Sequence, residues 1–171
     1  MVEKNSVAEK QLVVFTLGNE SYAVDINTVK EIIQLQHVTK LPGTPPSVEG
    51  VINLRGSVIP VIDLRKRFEM DQVERNKETR IVVVSCGNSL VGVVVDSVAQ
   101  VTRIPVESVE SASSIFSKEQ VEYLLGVVKV NNRLIILLDI DRILTSQEIC
   151  SLQSLEAKLA ADQETREAVP A

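Results

Sequence analysis

The sequence predicts a mainly β protein made of two copies of one unit, each with five short strands. Valine, isoleucine and leucine dominate the apolar residues, whereas aromatic residues make up only 3% of the chain. The apolar runs are short and are broken by Gly, Asn, Asp and Pro, which is typical of strands rather than of long helices. The chain also matches itself when it is shifted along its own length, which indicates a repeat.

The internal match relates the first half of the chain to the second. A shift of 69 positions sets Gly18-Asn19 on Gly87-Asn88, and a shift of 76 positions sets Gly50-Val51 on Gly126-Val127. The shift grows because the second copy carries a longer insertion before its last hairpin. We interpret the match as the result of a duplication.

The elements of the first copy follow from its turns and caps. A strand at Gln11 to Leu17 turns at Gly18-Asn19 into a second strand at Ser21 to Ile26. A short helix is predicted next, because Thr28-Val29-Lys30-Glu31 fits the capping box, in which a hydroxyl and a carboxylate satisfy helix-end amides. The second copy repeats this pattern at Ser97-Val98-Ala99-Gln100. The remaining strands of the first copy are predicted at His37 to Leu41, Val48 to Leu54 and Val58 to Asp63.

Five short strands can close into a small barrel, which removes the unpaired edges that invite aggregation. Barrels of this size bury little surface alone, so we expect the two to pack against each other. A third capping box at Thr145 to Glu148 opens a predicted C-terminal helix, whose apolar stripe is expected to dock on the barrels. The predicted boundaries are an N-terminal tail at 1–10, a first barrel at 11–68, a charged linker at 69–78, a second barrel at 79–144, and the C-terminal helix with a frayed end at 145–171.

The charge and the apolar pattern limit the possible partners. The formal net charge is −5, and the densest basic cluster is the short Arg65-Lys66-Arg67, which disfavours a phosphate backbone as a partner. The N-terminal residues lack the apolar core of a signal peptide, and the longest apolar run is Leu134 to Leu138, so we expect a cytoplasmic protein. Cys86 and Cys150 have no metal-ligand spacing, and we interpret both as free thiols.

Groups suited to catalysis are few. The only histidine, His37, has no serine or cysteine motif to accompany it, and no phosphate-binding or zinc-protease motif is present. Asp63 and Asp139 occupy equivalent positions before a short turn or helix, and we interpret both as helix caps rather than as a two-carboxylate site. We therefore predict no catalytic residues, no metal site and no cofactor.

Four stretches together resemble the CheW family of bacterial chemotaxis coupling proteins. They are LVVFTLGNESYAVDINTVKEI, VEGVINLRGSVIPVIDLRKRF, and the pair LVGVVVD and LLGVVKV of the second copy. The resemblance spans roughly Gln11 to Leu144. It implies two five-stranded SH3-like barrels without catalytic activity, in a free adaptor that binds the cytoplasmic tips of chemoreceptors and the regulatory domain of a histidine kinase.

The resemblance also implies two separate surfaces. The receptor-facing surface of the family involves the first barrel's helix and the NLRG hairpin, which here match Val29, Glu31, Gly50, Asn53 and Arg55. Contact with the kinase is associated mainly with the second barrel, for which we choose the opening strand at Thr79, Arg80 and Ile81.

Several of these residues also have a purely structural explanation. Val29 fits a core position, Gly50 recurs as Gly126 and fits a bulge, and Asn53 fits a turn former. The capping box alone explains a polar residue at Glu31. Thr79, Arg80 and Ile81 equally fit an ordinary start of a strand.

Arg55 is the exception, because the two copies can be compared at its position. The hairpin turn of the second copy places Asn131 where the first has Arg55, and Asn132 where the first has Gly56. Both Asn and Gly tolerate the left-handed backbone of tight turns, so the fold closes this hairpin without an arginine. We expect Arg55 to meet a carboxylate on the receptor or to be held by Glu31 on the neighbouring helix.

Three alternatives remain open from the sequence. The same module can serve a receptor–kinase pathway outside chemotaxis, such as one that controls motility or development. A nucleic-acid-binding barrel protein is disfavoured by the acidic balance and the few aromatic residues. A small enzyme would have to work through His37.

Overall fold

The computed structural model describes residues 8–87, 89–111 and 123–143, and within them the chain is mainly β, as predicted. The first repeat contributes β1 (Glu9–Leu17), β2 (Glu20–Asp25), β3 (Val29–Gln34), β4 (Val48–Leu54), β5 (Ser57–Asp63) and helix α1 (Leu64–Arg67). The second contributes β6 (Arg80–Cys86), β7 (Ser89–Val95), β8 (Ser97–Pro105), β9 (Glu110–Ser111), β10 (Leu124–Val130), β11 (Arg133–Leu138) and helix α2 (Ile140–Ile143). The predicted C-terminal helix at 145–171 and Cys150 lie outside the described residues.

The strands form two sheets that exchange hairpins between the repeats. The order is β8-β1-β2-β11-β10-β9 in the six-stranded sheet and β3-β6-β7-β5-β4 in the five-stranded sheet. We predicted that each repeat, at 11–68 and at 79–144, builds its own barrel; instead, the first hairpin of each repeat joins the later strands of the other. The exchange is reciprocal, because the parallel pairs Ala23–Leu137 and Gly92–Val61 are equivalent in the duplication.

Short connections explain the exchange. Asp96 is the only residue between β7 and β8, whereas even the tightest common hairpin needs a two-residue loop. β8 therefore cannot fold back beside β7 and continues into the other sheet, where it pairs with β1. The 3₁₀ turn Ile26–Thr28 passes the chain from β2 to β3 in the same way.

Three buried clusters explain why the strands are apolar on both faces. One cluster lies within the six-stranded sheet, one within the five-stranded sheet, and the third combines residues of both sheets. Along β6, Ile81 and Val83 belong to the five-stranded sheet's own cluster, whereas Val82 and Val84 belong to the shared cluster. The expected packing between the two halves is therefore present as this shared core.

Neither sheet closes into a continuous barrel within the described residues. In the five-stranded sheet the outermost strands are β3 and β4, and contacts outside the ladder bring them together. Thr39 forms an isolated bridge with Val51, and Gln36 Nε2 donates to the Asn53 carbonyl at 3.1 Å. The predicted strand at His37 to Leu41 is reduced to this one bridge.

The helix predicted to begin at Thr28 is absent, and Val29–Gln34 form strand β3 instead. Asp25 Oδ1 accepts from the Asn27 amide at 2.9 Å, and this cap serves only a single 3₁₀ turn. The following β-branched residues pair with β6, so strand propensity and a sheet partner override the capping pattern. The equivalent pattern at Ser97–Gln100 likewise lies in strand β8.

The predicted caps at the ends of the repeats are confirmed. Asp63 Oδ1 accepts from the Arg65 amide at 2.9 Å at the start of α1, and Asp139 Oδ1 accepts from the Asp141 amide at 3.1 Å at the start of α2. Duplication therefore explains this matched pair of carboxylates.

A charged clasp joins the two sheets beside α1. Arg65 donates from Nε and Nη2 to the two oxygens of Asp96 at 2.8 and 2.5 Å, and the Gly18 amide donates to Asp96 Oδ2 at 2.8 Å. The hydrogen bonds from Arg65 hold the pKa of Asp96 below its ordinary value, although burial acts in the opposite direction. The clasp thus ties the turn of β1–β2 to the junction of β7 and β8.

Candidate functional site

The turn between β4 and β5 holds Arg55 in a backbone conformation that favours other residues. Arg55 has φ 52° and Gly56 has φ 88°, and the equivalent Asn131 and Asn132 have φ 50° and 64°. Asparagine tolerates the left-handed region better than arginine, which pays a strain of about 1 kcal/mol there. Asn53 Oδ1 accepts from the Gly56 amide at 2.9 Å, which confirms Asn53 as a turn former.

The side chain of Arg55 forms a two-point ion pair with Glu31. Arg55 Nη1 lies 2.6 Å from Glu31 Oε2, and Nη2 lies 2.8 Å from Oε1. Glu31 was expected on a helix but lies on β3 at the edge of the sheet. The Arg55 side chain is 75% exposed, so the pair adds little to stability but fixes the plane of the guanidinium at the surface.

Gly50 is buried, and its role in the fold is steric. It has φ 147°, and a Cβ atom there would lie 2.0 Å from the Thr39 carbonyl oxygen. The equivalent Gly126 approaches the Glu110 carbonyl oxygen in the same way, at 2.4 Å. Both repeats therefore need glycine at this position, and Gly50 shapes the β4–β5 hairpin without offering a side chain.

Val29 is half-buried and packs against the core shared by the two sheets, as does Val98, its equivalent in the second repeat. The next equivalent positions at which both repeats carry an apolar residue are Ile32 and Val101, which are 39% and 51% exposed on β3 and β8, the outermost strands of their sheets. Neither was singled out from the sequence. The repeat shift relates them, but their exposure becomes visible only when β3 is known to be a strand.

The three residues chosen for kinase contact differ in their accessibility. Thr79 is buried and accepts from the Asn76 amide through Oγ1 at 3.0 Å, and Ile81 is completely buried in the core of the five-stranded sheet. Arg80 is partly exposed, and its Nη1 donates to the carbonyl oxygens of Lys77 and Thr79 at 2.6 and 3.0 Å. Arg80 is thus the member of this set whose side chain can reach a partner.

The described residues offer little reactive chemistry. No group of three His, Cys, Asp or Glu residues in the described part of the chain could hold a metal ion. Burial, followed by the nearby carboxylates of Asp141 and Asp139, raises the pKa of the half-buried Cys86 to about 11. A nucleophilic thiol needs the opposite shift, so Cys86 stays protonated at neutral pH. His37 is exposed.

No helix within residues 8–87, 89–111 and 123–143 is long and apolar enough to span a membrane.

Comparison with known proteins gives a consistent result. The family model described as a CheW-like domain matches residues 11–148. The chain is 36% identical over 146 residues to the chemotaxis protein CheW of Klebsiella aerogenes, covering 85% of this chain and 88% of that protein. It is 37% identical over 149 residues to the chemotaxis protein CheW of Treponema pallidum, with 85% and 88% covered.

A solved structure shares the fold. The crystal structure of the scaffolding protein TtCheW from Thermoanaerobacter tengcongensis superimposes with a TM-score of 0.76 at 34% identity. The match covers 82% of this chain and 96% of that one, so it includes both sheets.

Proposed function

Because the chain belongs to the CheW-like family, we propose that it is a non-catalytic adaptor that couples the cytoplasmic tips of chemoreceptors to the chemotaxis histidine kinase through the kinase's regulatory domain. The two relatives reported above are chemotaxis proteins, and the matched structure is that of a scaffolding protein. The observation that carries the proposal is Arg55, held by Glu31 in a turn that the fold closes elsewhere with asparagine. The protein works in the cytoplasm, at clusters of membrane receptors.

The receptor-binding surface lies at the edge of the five-stranded sheet. Arg55 presents its guanidinium to a carboxylate on the receptor tip, and Glu31 orients it. Asn53 sets the turn, and Gly50 lets Thr39 approach the hairpin. Val29 supports the surface from the shared core.

Ile32 on β3 and Val101 on β8 are exposed apolar residues on the outermost strands of the two sheets. Receptor tips are helical hairpins in the family, and an apolar ridge of a helix needs such side chains as partners. The kinase-binding surface is separate and lies at the start of β6, with Arg80 as its contact residue.

We expect Arg55→Ala to weaken receptor binding about twentyfold or more, because an arginine at the centre of an interface is a frequent hot spot. The melting temperature should barely change, since the ion pair with Glu31 is exposed. Titration of a soluble receptor fragment against the wild-type protein and against Arg55→Ala measures the loss of affinity. Arg133→Ala, at the equivalent hairpin of the second repeat, is the control and should bind normally.

A double-mutant cycle shows whether Glu31 affects receptor binding only by orienting Arg55. If Glu31 orients the guanidinium, Glu31→Ala alone weakens receptor binding, and the same change made in Arg55→Ala has no further effect. Unchanged receptor affinity in folded Arg55→Ala would reduce Arg55 to a solvated turn charge.

We expect Arg80→Glu to weaken binding to the kinase regulatory domain and to leave receptor binding intact. The substitution reverses a charge at the surface and leaves the buried neighbour Ile81 in place, whereas a charge at Ile81 would enter the core. Calorimetric titration with each partner measures both affinities. Loss of both activities in a folded Arg80→Glu protein would contradict the assignment of two surfaces.

A further inference from the structure

Two buried carboxylates lie beneath the linker that joins the repeats. Glu49 on β4 and Asp63 at the end of β5 are both buried, although burial of a charge is costly without a partner. Arg75 of the linker supplies that partner, because its Nη2 lies 3.2 Å from Glu49 Oε2 and 3.0 Å from Asp63 Oδ2. Lys66 of α1 forms a further ion pair with Glu49 Oε1.

The fold does not require this charged cluster. The position of Glu49 is occupied in the second repeat by Leu125, which is 43% exposed. The equivalent of Asp63 is Asp139, whose ion pair with Arg142 at 3.6 Å stays within its own helical turn. The same hairpin therefore forms in both repeats, with a buried carboxylate at this position only where the linker crosses it.

Met70 at the start of the linker packs against the shared core, but from Asp71 to Glu78 polar contacts rather than apolar packing hold the linker in place. Val73 is the only apolar residue between Asp71 and Glu78, and it is exposed. Beneath the linker is a cavity of about 80 Å³ lined mainly by polar residues. The Arg75 side chain spans the space between the linker and the two carboxylates. Burial raises the pKa of Glu49, but Lys66 and Arg75 outweigh burial and bring this pKa below its ordinary value, so Glu49 is ionised and can pair with Arg75.

The residues after Arg75 lead directly to the kinase surface. The Asn76 amide donates to Thr79 Oγ1 at 3.0 Å, and the Thr79 amide donates to the Asn76 carbonyl at 3.1 Å. Arg80 then donates to the Lys77 carbonyl at 2.6 Å, so its side chain is folded back over this turn. The orientation of Arg80 thus depends on a turn that begins immediately after the anchored Arg75.

We propose that Arg75 is a positioning residue for kinase binding: by fastening the linker to Glu49 and Asp63, it holds the turn that presents Arg80 to the kinase regulatory domain. The inference rests on the proposed function and adds a residue to it. Without the anchor the turn has to be ordered on binding. Ordering a single backbone residue costs enough to lower the affinity about tenfold.

The test needs a variant that removes the anchor without leaving Glu49 unpaired. Arg75→Ala combined with Glu49→Leu does this, since leucine is the natural residue at the equivalent position of the second repeat. Asp63 loses its ion pair with Arg75 but keeps the hydrogen bond from the Arg65 amide, so this double variant should fold with a lower melting temperature. At a temperature where it is folded, we expect it to bind receptor normally and to bind the purified kinase regulatory domain about tenfold more weakly. Amide hydrogen exchange at Asn76 and Thr79 should become faster. Arg142→Ala, which removes the ion pair with Asp139, is the matched control and should change neither the kinase affinity nor the exchange rates.

The outcomes distinguish this inference from the proposed function. If Arg80→Glu weakens kinase binding but the double variant binds the kinase like the wild type, Arg75 has no positioning role, and the assignment of the kinase-binding surface to Arg80 is still supported. If Arg80→Glu has no effect on kinase binding, the kinase-binding surface is wrongly placed, and the proposed role of Arg75 is wrong as well. Weaker kinase binding together with faster exchange in the double variant supports the inference.

Discussion

The fragment Met1–Met70 is expected to aggregate or to stay unfolded when it is expressed alone. It contains β3, β4 and β5 but lacks the β6–β7 hairpin that lies between β3 and β5 in the five-stranded sheet. It also contains β1 and β2 without β8 and β11, their neighbours on either side. Both sheets are therefore broken in this fragment, and the exposed strand edges favour association. Circular dichroism and size-exclusion chromatography measure the outcome.

A second fragment of the same length is a matched control. Asn27–Asp96 carries every strand of the five-stranded sheet and the whole buried cluster within it. We expect it to give a sheet signal and a cooperative transition in dilute solution, with limited stability because its face toward the shared core is uncovered. A cooperative, monomeric unfolding transition of Met1–Met70 would show that the first repeat folds without strands of the second, which contradicts the exchange of hairpins as the reason for its instability.

Part of this fold could be predicted from the sequence. The duplication and most strands followed from the sequence, because alternating turns and β-branched runs are local signals. Which copy of a hairpin joins which sheet did not follow, since equivalent strands offer equivalent partners and a repeat match cannot distinguish them. The short connection at Asp96 between β7 and β8 decides the exchange, but it becomes apparent only once Ser97–Pro105 is known to be a strand rather than a helix.

The candidate site was predicted unevenly for similar reasons. Comparison of the two turns identified Arg55 as a residue that the fold does not need, and Glu31 was one of its two expected partners. The strand position of Glu31 was missed because a capping pattern is a weak signal beside a run of β-branched residues. The burial of Ile81 was missed because a strand buried on both faces has no alternation to read.

Gly50→Ala is expected to destabilise the protein by at least about 3 kcal/mol, a large effect for one methyl group. The added carbon would lie 2.0 Å from the Thr39 carbonyl oxygen and 2.7 Å from its carbonyl carbon. Both atoms belong to the backbone that bridges to Val51, so relief requires the loss of that bridge. For a chain of this length the melting temperature should fall by roughly 6 to 12 °C.

Gly43→Ala is a control with a positive φ but without a close contact. Gly43 also has a positive φ, 81°, but no atom lies within 4 Å of the Cβ position. Its substitution should cost only the strain of about 1 kcal/mol that a left-handed backbone imposes on alanine. The difference between the two variants therefore combines the close approach of Thr39 to the hairpin with the less favourable φ of Gly50, 147° against 81°, and thermal unfolding of both proteins measures it.

The same pair of variants decides whether Gly50 contacts the receptor. If Gly50 serves only the fold, receptor binding by Gly50→Ala falls in proportion to the unfolded fraction and recovers at a temperature where the variant is folded. A folded Gly50→Ala protein with an unchanged melting temperature and weak receptor binding would instead make Gly50 a contact residue. Because Gly126 repeats the approach at a position to which no partner is assigned, we expect the first result.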